Sequence, residues 1–163
     1  MKKILFTIFA LLFAMNANAA SLSVDGGWST FTFGGVGSSW SETFSFTLTN
    51  SAKLSVTDAY NSGDQFSFTD GVTTWNTSTP TNGFYNSDFD AAFADTNFSS
   101  LAVLLGAGSY QISGSTLLSP FGAGGAAIQL SSVSEVPIPA AALMFAPALL
   151  GFLGLRRKAK LAV

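Results

Sequence analysis

Trp40-Ser41-Glu42-Thr43-Phe44-Ser45-Phe46-Thr47-Leu48-Thr49 is the stretch that decides the fold. In an extended chain Trp40, Phe44, Phe46 and Leu48 fall on one side, and Ser41, Thr43, Ser45 and Thr47 on the other. An apolar face and a hydroxyl face at period two is the pattern of a strand buried on one side. Upstream, Phe31-Thr32-Phe33 alternates in the same way before Gly34-Gly35-Val36-Gly37 breaks it. Downstream, Asn50-Ser51 makes a turn and residues 52–58 alternate again, with Leu54 and Val56 inward.

The same pattern continues along the chain. Residues 65–69 place Phe66 and Phe68 inward, and Asp70-Gly71 is a hairpin signal linking them to residues 72–75. Residues 76–86, with Pro80 and Asn82-Gly83, read as a long loop. Residues 88–97 differ: Phe89, Ala92 and Phe93 follow a helical period, with Asp88 as the N-cap. Strands then follow at 99–105, at 109–118 with Tyr110 and Ile112 on one face, and at 126–132 with Ile128 and Leu130 inward. Eight or nine strands with a turn every 8–12 residues predict an all-β fold, an antiparallel β-sandwich of jelly-roll-like form.

The ends of the chain are of another kind. Lys2 and Lys3, an apolar run over 4–15 and Ala17-Asn18-Ala19 have the three parts of a secretory signal, with cleavage expected after Ala19. The apolar run is too short to span a bilayer. At the other end, residues 137–155 carry no charge, and Arg156-Arg157-Lys158-Ala159-Lys160 follows at once. A helix of that length reaches about 28 Å, close to the ~30 Å hydrocarbon core, and basic flanks stay on the cytoplasmic side. Pro147 falls mid-span and would kink such a helix. The expected organisation is a signal peptide at 1–19, a β-sandwich body at 20–132 and a membrane-directed tail at 133–163.

Charge separates the body from its flanks. All nine acids lie between Ala20 and Glu135, with Lys53 the one base among them, a net charge of −8 against −2 for the whole chain. Such a surface has no electrostatic means of holding nucleic acid. With no Cys and no His, the body lacks disulfides, thiol or Ser–His–Asp nucleophiles, and His or Cys metal sites.

The tail resembles the PEP-CTERM protein-sorting signal of Gram-negative bacteria. That signal is a short Pro-containing motif, a transmembrane helix and an Arg-rich end, read by a membrane protease-transpeptidase called exosortase. Val136-Pro137-Ile138-Pro139-Ala140 is similar to the Val-Pro-Leu-Pro-Ala variant, with the helix at 138–155 and the basic end, Arg156, Arg157 and Lys158, at 156–160. Ile138 stands where the eponymous Pro-Glu-Pro has Glu, which bears on the exosortase subtype. The body resembles secreted, often PEP-CTERM-bearing, domains of unassigned activity, through Val56-Thr57-Asp58-Ala59-Tyr60-Asn61-Ser62-Gly63-Asp64-Gln65-Phe66, Asp88-Phe89-Asp90-Ala91-Ala92-Phe93-Ala94-Asp95 and Leu105-Gly106-Ala107-Gly108-Ser109-Tyr110. The resemblance implies signal peptidase and the Sec machinery, exosortase and a transient stay in the inner membrane as partners. The body would face the periplasm first, then the cell surface or the extracellular matrix.

Candidate chemistry rests on acids and aromatics. Asp58 and Asp64 around one loop, and Asp88 and Asp90 around another, could supply oxygens to Ca²⁺, which takes about six to eight. Asp at turns and N-caps is equally explained by its bonds to nearby N–H groups. On a strand Asp88 and Asp90 would share a face, the start of a glycosidase carboxylate pair. Trp28, Trp40, Trp75, Tyr60 and Tyr85 could stack on an extracellular polysaccharide, with Trp75 and Tyr85 the better placed and Trp40 in the inward register. The expected function is an exported structural protein rather than an enzyme, with no cofactor. The alternative is a Ca²⁺-dependent or carbohydrate-binding module on the same sandwich.

Overall fold

The computed structural model describes residues 19–133. Within them are strands β1 (Ala19–Ser21), β2 (Ser29–Phe33), β3 (Thr43–Leu48), β4 (Ala52–Asp58), β5 (Tyr60–Asn61), β6 (Gln65–Thr69), β7 (Thr74–Asn76) and β8 (Tyr85–Asn86). A short helix α1 (Phe89–Ala94) precedes β9 (Ser100–Leu105), β10 (Gly108–Leu118) and β11 (Gly124–Ser132). Among the described residues the protein is all-β apart from that helix. The expected signal peptide, sorting motif and membrane helix lie outside the described residues, among which no helix is long and apolar enough to cross a membrane.

One sheet has the order β1-β3-β10-β6-β7 and the other β2-β11-β4-β9. All pairings within them are antiparallel except β1 with β3. The chain changes sheet between β1 and β2, β2 and β3, β3 and β4, β4 and β6, β7 and β9, β9 and β10, and β10 and β11. The inward faces share one core. Phe44, Phe46, Leu48, Phe66, Phe68 and Ile112 come from the first sheet, and Phe31, Phe33, Leu54, Val56, Ile128 and Leu130 from the second. Rings meet across the layer: Phe31 against Phe44 at 6.0 Å and Phe33 against Phe66 at 4.8 Å between centroids. Each such side chain contributes roughly 1.5–3 kcal/mol on burial. Without cysteines, this core carries the stability.

The period-two readings of β2, β3, β4, β6 and β11 hold for their inward residues, all of them buried. Differences arise where distant segments meet. β3 begins at Thr43, and Trp40 reaches the core from outside the strand, held by its backbone N–H on Gly114 O at 3.0 Å. Its indole stacks on Phe31 at 4.0 Å and fills the space a side chain at Gly114 would take. β7 begins at Thr74, two residues later than the alternation suggests, because Asp70 Oδ1 accepts the N–H groups of Val72 and Thr73 and lengthens the turn. Ser55 and Thr57 on β4 are fully buried on the face expected to be wet, since α1 packs against that strand. The loop at 76–86 holds a further strand, β8, paired with β5.

Candidate functional site

β4 ends on Asp58, and the chain must then turn sharply back to β6. Asp58 organises that turn. Its N–H donates to Ser99 O, its Oδ1 accepts from Ala59 N at 2.8 Å, and its Oδ2 accepts from Gly63 N and Asp64 N at 3.2 and 3.1 Å. Tyr60 adopts φ 64°, sparsely populated for a bulky residue. Gly63 at φ 140° sits where a Cβ would strike Pro120 at 2.8 Å and also Asn82. Ser62 ties the turn to the neighbouring loop, donating to Thr81 O at 2.6 Å and accepting from Phe84 N at 3.0 Å.

Asp64 is buried beside Asp58, and its Oδ1 has no hydrogen-bond partner. Ser119 Oγ lies near enough to favour the Asp64 carboxylate yet makes no well-formed hydrogen bond. Burial first, and the charge of Asp64 second, push the Asp58 carboxyl up to about 7, against the pull of the three N–H donors. Burial raises Asp64 as well, with Ser119 opposing. Burial and the neighbouring Asp64 charge both oppose ionisation of Asp58, which therefore keeps its proton up toward neutrality. The pair suits a cation less well, because Asp58 already accepts three N–H bonds.

The four acids proposed as Ca²⁺ ligands do not converge. Asp88 caps α1, accepting from Asp90 N and Ala91 N at 2.9 and 3.1 Å. Asp90 accepts from Trp28 Nε1 at 2.8 Å. Among the described residues no group of three or more acidic side chains stands close enough to hold a metal. Asp88 and Asp90 also start a helix rather than lie on a strand, so their spacing does not give the shared face that a glycosidase pair would use.

The aromatics do not form a row. Trp40 is core, and Trp75 leans on Phe68 at 5.5 Å. Trp28 packs against Phe89 and Phe93 at 6.1 and 5.8 Å, and Tyr60 meets Phe89 edge-on. Tyr85 remains open, 69% exposed.

A different surface emerges on the outer side of the five-stranded sheet. β3 presents Thr43, Ser45 and Thr47, β6 presents Gln65, Ser67 and Thr69, and β10 presents Ser109, Gln111, Ser113 and Ser115. Every one of these is a hydroxyl or an amide. Where residues 39–42 diverge from β3, a cleft of about 330 Å³ opens between Ser39, Glu42, Thr43, Ser67, Ser113 and Ser115, with Trp40 and Gly114 also lining it. Sequence reasoning saw the hydroxyl face of β3 alone. The registers of β10 against β3 and β6 assemble the rest, and no local pattern encodes them.

Ala19 opens β1, while Ala17 and the sorting residues Val136, Pro137, Ile138, Pro139, Ala140, Arg156, Arg157 and Lys158 lie outside the described residues. No protein-family model matches the chain, and no curated protein matches it at a significant level.

Proposed function

We propose that this is an exported cell-surface or extracellular-matrix protein, structural rather than catalytic, sorted through its PEP-CTERM-type tail. Its body is a jelly-roll-like antiparallel sandwich. Taking β2, β3, β4, β6, β7, β9, β10 and β11 as strands one to eight, the sheets run 1-8-3-6 and 2-7-4-5, an order that supports this reading. The observation that carries the proposal is how the body fits between the two apolar segments of the sequence. Ala20 already packs on the core, β11 ends at Ser132, and Ser132 N is fastened to Asp25 Oδ1 at 2.8 Å. The folded unit thus closes four residues before the Val136-Pro137 motif, leaving a short connection for a membrane protease to cut. Signal peptidase, the Sec machinery and exosortase are its proposed processing partners, and the inner membrane its transient anchor.

Cell fractionation tests this. In a strain with exosortase the body should leave the inner membrane for the surface or medium; without exosortase, the uncut precursor should accumulate in the membrane. Equal release from both strains would dismiss the sorting step. The second reading, a carbohydrate-binding module on the same scaffold, draws support from the uncharged hydroxyl face of the five-stranded sheet.

A further inference from the structure

The two main sheets end in four strands, and three of these are short or tied. β1 and β7 have three residues each. β2 is bonded on its free side, where Ser41 N donates to Thr32 O and Thr32 N to Ser41 Oγ. β9 closes the four-stranded sheet with six residues. Asp58 N donates to Ser99 O, so in the antiparallel ladder Leu101, Val103 and Leu105 turn their backbone groups toward β4, and Ser100, Ala102 and Leu104 turn theirs away. Ser100 bears this out: its N–H meets Ser78 Oγ at 3.0 Å and its O accepts Ser78 N at 3.1 Å. The N–H and C=O groups of Ala102 and Leu104 point outward with no partner among the described residues.

The side chains leave this edge open as well. Leu101 and Val103 face the core yet are only half-buried, while Val56 and Leu54, which they face on β4, are fully buried. Leu104, on the outer face, is 67% exposed. Proteins ordinarily protect a sheet edge with Lys, Pro or a bulge. From Ser99 to Gly106 there is no charge and no Pro, and the register with β4 runs without a shift.

We propose that β9 is a self-association edge, pairing antiparallel with β9 of a second copy about a two-fold axis at Val103. In that register Ala102 faces Leu104 of the other copy, and Leu104 faces its Ala102. Backbone bonds at these two pairs satisfy every outward group that the strand leaves unpaired. Large meets small on the outer face, and Val103 meets Val103 on the core face. Each strand ends at Leu105, so the pairing stops where Ser78 already holds Ser100. The contact uses the same edge on both copies and therefore closes as a dimer. Charge favours a copy over a foreign strand. An acidic or basic segment would find no counter-charge within 99–106, whereas this uncharged strand matches itself. Lys53, the body's one base, faces Leu104 across the ladder and offsets part of the repulsion between two bodies at −8. One strand pair buries less than the ~1,600 Å² of a standard interface, so the dimer is weak and reversible. The inference stands apart from the sorting and carbohydrate readings.

Analytical ultracentrifugation of the full-length chain in mild detergent tests it. A concentration-dependent dimer should appear, and it should tighten as salt screens the acidic bodies. Ala102→Pro removes only an outward N–H and leaves the ladder to β4 whole. Leu104→Lys sets a charge on each side of the seam. Each should weaken dimerisation about tenfold or more; should Ala102→Pro misfold, Leu104→Lys carries the test. Because the chain has no Cys, a single introduced one reports the register. Val103→Cys should cross-link under mild oxidation, since facing residues come within disulfide reach, and Ser109→Cys on the other sheet should not. A chain that stays monomeric at every concentration would overturn the proposal. So would a dimer that neither variant weakens and Val103→Cys does not cross-link, which would place the contact elsewhere in the chain. Protection of the Ala102 and Leu104 amides from hydrogen exchange in the dilute monomer would overturn it too, by showing that the chain covers its own edge.

Discussion

The carboxylate of Asp58 accepts the backbone N–H of Asp64 at 3.1 Å, so the turn that joins β4 to β6 buries two acids together. With its folded pKa raised from 3.8 to about 7, Asp58 binds more proton in the folded state than in the unfolded state between those values. Its contribution to stability is therefore fully present below about 3.8 and is lost as pH rises through about 7. Asp25 and Asp70 act oppositely: hydrogen bonds from Ser132, and from Thr73 and Val72, lower them, so their contribution is lost as pH falls below the usual carboxylate range. Stability should peak near pH 4–5 and decline toward pH 8 by a few kcal/mol, at ~1.4 kcal/mol per pKa unit, and the thermal midpoint should fall with it. Asp58→Asn should flatten the decline. A midpoint rising steadily from pH 5 to pH 8 would contradict this arrangement.

Calcium gives a second test at the same turn. Asp58 and Asp64 adjoin, but Asp88 and Asp90 belong to the helix cap. Thermal melts in millimolar Ca²⁺ and in chelator should therefore coincide within about a degree. A rise of several degrees in Ca²⁺ that vanishes in Asp64→Asn would show that the pair holds the ion after all.

Trp40 covers Gly114, and a Cβ there would enter the indole. Gly114→Ala should cost about 1–3 kcal/mol, the usual range for overpacking. Denaturant unfolding followed by tryptophan fluorescence measures it. A neutral result would mean that the ring does not lie on the strand.

Helix α1 begins on the side chain of Asp88. Asp88→Ala should destabilise by ~1 kcal/mol, whereas Asp88→Ser should lose much less. Equal losses in the two variants would assign the effect to something other than capping.

The parts of this fold that were legible in the sequence are those set by neighbours in the chain. Phe44, Phe46 and Leu48 face inward because alternation places them there, and Asp88 caps a helix because an acid precedes a helical period. Asp70-Gly71 turns because glycine accepts φ 89°. What stayed hidden depends on residues far apart. Thr57 is buried because α1, more than thirty residues later, packs on its strand. Tyr60 pairs with Asn86 across a loop that shows no period. The hydroxyl cleft needs three strands in register, and only the first of them announced itself.

In the proposed route the body is delivered across the membrane and then cut free. Mass spectrometry of the protein recovered from the cell surface or medium addresses both ends at once. The mature chain should start at Ala20 and end within or next to residues 136–140. An intact chain from Met1 to Val163, found dissolved in the cytosol, would contradict the account.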